Sequence, residues 1–163
     1  MSVIDEFLAN NQEYVKSFRS GSLPMPPAKK IALVVCMDAR MDTFSMLGMK
    51  HGDAHIIRNA GGIVTDDVIR SLIISQRIQD TREIMLLHHT ECGMLAINDD
   101  EFAQQLENET GEQLAFEMQG FTDLEENVRE SISKIKNNPF LIYKDKVRGF
   151  IYDVRSGSLR EVK

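Results

Sequence analysis

Residues 31–35 read Ile-Ala-Leu-Val-Val, a continuous apolar run that is rich in β-branched side chains. A short run without polar alternation is typical of a strand that is buried on both faces of a parallel sheet. Two later stretches, residues 54–58 and 84–87, have a similar apolar character. The three runs predict strands in the core of one sheet.

The stretches after these strands carry helix signals. Thr65, followed by Asp66 and Asp67, supplies a cap and first-turn acids. Thr122 and Glu125 have the spacing of a capping box ahead of a second helix. Apolar side chains then recur at helical spacing, at Val68, Ile69, Leu72, Ile73 and Ile78 in the first case and at Phe121, Leu124, Val128, Ile132 and Ile135 in the second.

The alternation of strands and helices predicts an α/β fold, with a last strand over residues 147–154. We expect a single domain with a mostly parallel central sheet of about four to five strands, flanked by helices. Residues 94–120 mix scattered apolar side chains with many acids and give no firm prediction.

The N-terminal stretch predicts a separate arm. Residues 2–18 place apolar side chains at mostly helical spacing, with Ser2 as a cap. The prolines within residues 24–27 cannot continue that helix. The predicted organisation of the domain 1–163 is therefore an N-terminal helix and arm over 1–28 and an α/β core over 29–163.

Composition excludes some classes of partner. The net charge is -6 with 27% charged residues, which argues against a nucleic-acid partner bound by a basic stripe. No apolar run has the length needed to cross a bilayer, and residues 1–20 carry acids where a signal peptide would be apolar. We therefore expect a cytoplasmic protein without a membrane partner.

Polar and sulfur-bearing residues follow two of the predicted strands. Cys36, Asp38 and Arg40 alternate after the first, so an extended chain would project all three to one side. His89 and Cys92 follow the strand over 84–87, with two residues between them. Ligands bind beyond the carboxyl ends of parallel strands, and two thiolates with one imidazole suit Zn²⁺. Three protein ligands leave a fourth position open, as catalytic zinc sites do.

Two other interpretations of these residues remain open. Cys36 and Cys92 are the two cysteines of the chain, and either a disulfide or two buried thiols would also account for them. His88 is adjacent to His89 and could take its place as ligand if the strand were oriented the other way. The spacing to Cys92 favours His89.

Three short segments resemble the signatures of beta-class carbonic anhydrases. They are Cys-Met-Asp-Ala-Arg at 36–40, Arg-Asn-Ala-Gly-Gly at 58–62 and His-Thr-Glu-Cys-Gly at 89–93. Their order and separation are also similar to the family's. The short length resembles the compact bacterial and archaeal members more than the plant-type ones.

The resemblance implies one zinc ion per chain, held by Cys36, His89 and Cys92, with Asp38 and Arg40 as an active-site pair. It implies reversible hydration of carbon dioxide to bicarbonate and a proton, because zinc lowers the pKa of its bound water. In some relatives the equivalent aspartate instead ligates zinc, and the sequence does not decide between the two forms.

Glycines beside these motifs are candidates for bicarbonate binding. The amide of Gly93 and the turn at Gly61 and Gly62 could offer backbone donors, although turn geometry alone would also explain the glycines. No histidine is assigned as a proton shuttle.

Rival functions and the assembly stay open at this point. A carbon disulfide or carbonyl sulfide hydrolase would use the same attack of a zinc-bound hydroxide on a linear molecule. A non-catalytic zinc or bicarbonate-binding module is a third alternative. The resemblance implies a homodimer or a dimer of dimers. The amphipathic N-terminal helix is the candidate for packing on a neighbouring subunit, the alternative being packing within its own chain.

Overall fold

The computed structural model describes residues 2–163, so Met1, where the predicted arm begins, lies outside it. The described residues form one five-stranded sheet in the order β2-β1-β3-β4-β5. Strands β1 to β4 are parallel, and β5 is antiparallel to β4. The strands are β1 (Ile31–Cys36), β2 (Ala54–Asn59), β3 (Glu83–His89), β4 (Val147–Tyr152) and β5 (Leu159–Val162). This sheet confirms the predicted α/β class.

The α-helices of the described chain are α1 (Val3–Ser17), α2 (Thr43–Leu47), α3 (Asp66–Arg77), α4 (Asp99–Thr110) and α5 (Leu124–Asn137). Helices α3 and α5 cover one face of the sheet. They bury Val68, Leu72 and Ile135 against alternate residues of β1 and β3, among them Val34 and Leu86. Side chains alternate across a strand, so the residues between these face the opposite side.

The opposite face of the sheet leads to the candidate site. Leu33 and Val35 of β1 and Leu87 of β3 are buried there, in a cluster that also contains Cys36 and Cys92. Because Leu87 and His89 are two residues apart in β3, they project to the same face. The strand alternation therefore orients His89 toward the cysteines.

The start of α5 differs from the capping-box prediction. Asp123, not Thr122, is the N-cap, and its Oδ1 accepts hydrogen bonds from the amides of Glu125 (2.9 Å) and Glu126 (3.0 Å). A carboxylate at this position also interacts favourably with the helix dipole. At α3 the Thr65 cap is as predicted, with Oγ1 accepting from the Val68 amide at 3.3 Å.

Helix α1 forms as predicted, and it lies exposed on its own chain. Ser2 and Asp5 make a capping box, and no residue of the helix is buried. Its apolar side chains remain exposed, at Val3, Ile4, Phe7, Leu8, Tyr14 and Val15. Among residues 2–163, no helix combines the length and apolar character that crossing a bilayer requires.

Candidate metal centre

The site lies where the strand order changes direction. After β1 the chain passes to β2 on one side, and after β3 it passes to β4 on the other side. The loops leaving the carboxyl ends of β1 and β3 therefore diverge, and such switch points form the ligand-binding crevice of open α/β sheets. Cys36 is the last residue of β1 and His89 the last of β3.

Cys36, His89 and Cys92 come together at this point. Each offers one ligand atom, and the three atoms lie within 4.8 Å of one another. All three residues are buried, with His89 fully inaccessible. Both cysteines are free thiols, so the disulfide interpretation is wrong for this structure. The geometry is compact enough for one ion to contact two sulfurs and a nitrogen.

The hydrogen bond of His89 defines which ring nitrogen faces the cluster. Nδ1 lies 2.9 Å from the Thr90 carbonyl oxygen, which can only accept, so Nδ1 carries the proton. Nε2 then has a lone pair, and this buried atom has no hydrogen-bond partner among the described residues. A buried polar atom without a partner is costly unless a ligand satisfies it. A zinc ion at this atom fits the donor set of two thiolates and one imidazole.

His88 lies on the other face of β3. Its Nε2 is 2.8 Å from Oδ1 of Asn127 in α5, and the ring is fully buried against Phe121. Burial lowers its pKa, which keeps the ring neutral. The structure brings His89, and not His88, to the two cysteines.

The protonation of each cysteine sulfur depends on the protonation of the other. The neighbouring Cys92 thiol lowers the pKa of Cys36 to about 4. Contact with Cys36 and burial raise the pKa of Cys92. The first thiolate therefore forms readily and the second does not, because two negative charges in a buried site repel each other. A bound cation removes that repulsion, as expected of a metal centre.

Asp38 and Arg40 form a paired contact beside the cluster. Arg40 donates from Nε to Oδ1 of Asp38 at 2.9 Å and from Nη2 to Oδ2 at 2.7 Å. The Arg40 guanidinium holds the pKa of Asp38 far below its usual range. Oδ2 of Asp38 also lies 3.7 Å from Nε2 of His89. In this structure Asp38 is thus ionised, held by Arg40 and adjacent to the ligand cluster.

Several residues that support the site were not singled out from the sequence. Arg58 donates to the backbone carbonyl oxygens of Cys36 (2.8 Å) and Asp38 (2.7 Å), which fixes the loop between them. Glu91 contacts Arg40 and Arg155. Arg58 belongs to the segment over 58–62, whose glycines were the candidate residues. Its contacts could not be predicted because they depend on the pairing of β1 with β2.

The candidate glycines are explained by packing in two cases. Gly61 and Gly62 are buried and have positive φ values of 79° and 68°. A side chain on Gly62 would contact the backbone of Cys36 and Leu87. Gly93 is exposed, with nothing within 4 Å of an added Cβ. Their part in bicarbonate binding stays a prediction.

Comparison with known proteins gives one consistent result. Residues 31–159 match the carbonic anhydrase family model. The chain is 54% identical over 162 residues to beta-carbonic anhydrase 1 of Mycobacterium tuberculosis, covering 99% of both chains. It is 29% identical over 182 residues to a carbon disulfide hydrolase of Saccharolobus solfataricus, covering 97% of this chain and 88% of that one. The crystal structure of a carbonic anhydrase from Streptococcus mutans is similar with a TM-score of 0.94 and 45% identity, covering 100% and 99% of the two chains.

Proposed function

The chain belongs to the beta-carbonic anhydrase family, and from this premise we propose that Cys36, His89 and Cys92 hold one zinc ion at which carbon dioxide is hydrated. The chain is a carbonic anhydrase, an enzyme that interconverts carbon dioxide with bicarbonate and a proton. The observation that carries the metal assignment is the buried, unpartnered Nε2 of His89 beside two free thiols.

The residues of the chain have distinct tasks around this ion. When bound, zinc supplies a water whose pKa is lowered toward neutrality, so that a hydroxide nucleophile becomes available. Burial of the three ligand side chains keeps bulk water away from the sulfurs. The Thr90 carbonyl fixes the ring orientation and tautomer of His89 through Nδ1.

Asp38 is the hydrogen-bond acceptor beside the three residues that would hold the ion. Arg40 keeps this carboxylate ionised and oriented through two hydrogen bonds. Because Oδ2 of Asp38 is close to Nε2 of His89, it can accept a hydrogen bond from water that enters there. Asp38 therefore orients the nucleophile, and Arg40 positions Asp38.

Carbon dioxide is preferred to carbon disulfide as the substrate class. The similarity to a mycobacterial beta-carbonic anhydrase, 54% identity, is much higher than the 29% identity to a carbon disulfide hydrolase. The second activity is therefore not proposed for this chain.

A homodimer and a cytoplasmic location complete the proposal. The apolar side chains of α1, including Phe7 and Leu8, are more than half exposed within one chain, as expected of a helix that packs on a second subunit. Two free thiols that serve as metal ligands are favoured by a reducing compartment.

Zinc content and carbon dioxide hydration, measured together, test this function. We expect one zinc per chain in the purified protein and a hydration rate that rises toward alkaline pH, because two thiolates reduce the acidifying effect of the ion. Cys92→Ser and His89→Gln are expected to lose the zinc and to reduce the stopped-flow rate by about 100-fold or more, since even indirect ligand partners are worth up to about that factor.

The matched control is His51→Gln, which changes an exposed histidine just before β2, at the opposite end of the parallel strands from Cys36 and His89. This variant is expected to keep both the zinc and the rate. Pure wild-type protein without zinc, or a Cys92→Ser variant that keeps zinc and rate, would overturn the assignment.

A further inference from the structure

Glu91 bridges two arginines from the turn that joins the proposed ligands His89 and Cys92, here called the ligand turn. It lies between His89 and Cys92, and its Oε1 accepts from Nε of Arg155 at 2.5 Å while its Oε2 accepts from Nη1 of Arg40 at 3.4 Å. Its backbone carbonyl also accepts from Nη2 of Arg40 at 3.2 Å. One glutamate thus links the residue that holds Asp38 to a residue of the β4–β5 turn.

The backbone at Glu91 is in a conformation that favours glycine. Its φ is 58°, in the left-handed region, where a side chain with a Cβ is strained. A glycine would make this turn with less strain, so backbone geometry alone does not account for a glutamate. The contacts of its carboxylate with Arg40 and Arg155 give the side chain a role of its own.

The β4–β5 turn is a firm anchor for this contact. The Thr90 amide donates to the carbonyl of Tyr152 at 2.9 Å, and the amide of Val154 donates to Oγ1 of Thr90 at 3.1 Å. These bonds dock the turn that carries Arg155 against the ligand turn. Glu91 is therefore held from one side while it contacts Arg40 on the other.

Arg40 transmits this constraint to Asp38. The planar guanidinium uses Nε and Nη2 for Asp38 and Nη1 for Glu91, so the two carboxylates together fix its orientation. Because Oδ2 of Asp38 is 3.7 Å from Nε2 of His89, this carboxylate is close enough to contact an ion held by that nitrogen if Arg40 does not restrain it.

We propose that Glu91, anchored by Arg155, is a positioning residue that holds Arg40 on Asp38 and so keeps this carboxylate out of the fourth ligand position. The inference rests on the proposed zinc site. Without the Glu91 carboxylate, Arg40 keeps its contacts to Asp38 and to the backbone carbonyl of residue 91 but loses the contact that its Nη1 makes. Asp38 then competes with water and with anions for the open position.

The test compares Glu91→Gln, Arg155→Gln and the double variant with the wild type. The probe is azide, titrated against the cobalt-substituted proteins by visible absorption, and kcat/KM for carbon dioxide hydration is measured on the zinc forms. Each single variant is expected to weaken azide binding and to lower kcat/KM by about threefold to tenfold, because partly exposed ion pairs are individually weak. The double variant is expected to lose no more than either single one, since both act through the same contact.

A matched control and a stability measurement separate positioning from a structural role. Glu83→Gln removes a glutamate of similar exposure that pairs with Lys146 at 2.9 Å, and it is expected to leave azide binding unchanged. Glu91→Gly relieves the positive φ, so this variant is expected to be at least as stable to urea as the wild type and yet to bind azide more weakly.

The outcomes distinguish this inference from the function on which it rests. An inactive or zinc-free wild type would overturn the proposed function. An active wild type, with Glu91→Gln and Arg155→Gln both unchanged in azide affinity and rate, would overturn the positioning role alone. A double variant whose loss equals the product of the single losses would also contradict it.

Discussion

At the scale of single residues, the position of Cys36 depends on the absence of a side chain at Gly62. A Cβ on Gly62 would lie 2.8 Å from the Cys36 amide nitrogen and 3.1 Å from the carbonyl oxygen of Leu87. Both are backbone atoms of strands that carry proposed ligands, so neither can move without shifting the cluster. The glycine is required here by close approach as well as by its positive φ.

We predict that Gly62→Ala lowers the free energy of unfolding by about 2 kcal/mol or more, through the clash added to the cost of a left-handed backbone. It is also expected to reduce the zinc content, because the Cys36 backbone must shift. Urea unfolding and metal analysis measure the two effects.

Gly111→Ala is the control for the backbone term. Gly111 has a φ of 76°, but nothing lies within 4 Å of its added Cβ. This variant is expected to lose only about 1 kcal/mol and to keep its zinc. If both variants lost the same free energy of unfolding, the contact of residue 62 with Cys36 would contribute nothing to stability.

Residue types and spacing predicted the ligand cluster, but not its supports. The separation of His89 from Cys92 predicted which histidine lies beside the cysteines, and strand alternation supplies the physical reason, since His88 faces α5. The role of Glu91 could not be predicted in the same way. Its partner Arg155 is far away in sequence and is brought near by the β4–β5 turn.

At the scale of elements, predictability follows burial. The strands β1 and β3 were evident because nearly all their residues are buried, which leaves a continuous apolar run. Helix α4 has no buried residue, and β5 has one among its four residues. An element that buries little is under weak pressure to show an apolar period, and so its sequence predicts little.

Helix α1 is the opposite case, with a clear apolar period and no buried residue in one chain. We predict that the wild type sediments as a dimer or larger assembly and that the double variant Phe7→Ser, Leu8→Ser shifts it toward the mass of one chain. The reason is that both side chains are more than half exposed in one chain, and packing on a second subunit would bury them.

Ala9→Ser, on the opposite face of the same helix, is the control and is expected to leave the mass unchanged. A wild-type mass that corresponds to one chain would rule out the dimer.

At the scale of the whole molecule, the parallel sheet is what makes distant motifs into one site. The segments over 36–40 and 89–93 follow adjacent parallel strands, so their side chains converge at one edge. The resemblance to a known family and this topology agree, which is why fold and enzyme class could be predicted from the sequence. The sequence predicted Asp38 and Arg40 as a pair but did not decide whether Asp38 ligates zinc, whereas in the structure the Asp38 carboxylate pairs with Arg40.

The central claim is that two sulfurs and one imidazole hold a zinc ion with one coordination position left over. X-ray absorption at the zinc edge of the purified protein measures this directly. We predict two sulfur ligands at about 2.3 Å and two lighter ligands at about 2.0–2.1 Å, the second of these being water or Asp38. A shell of nitrogen and oxygen atoms alone, or a shell of four sulfurs, would contradict the account.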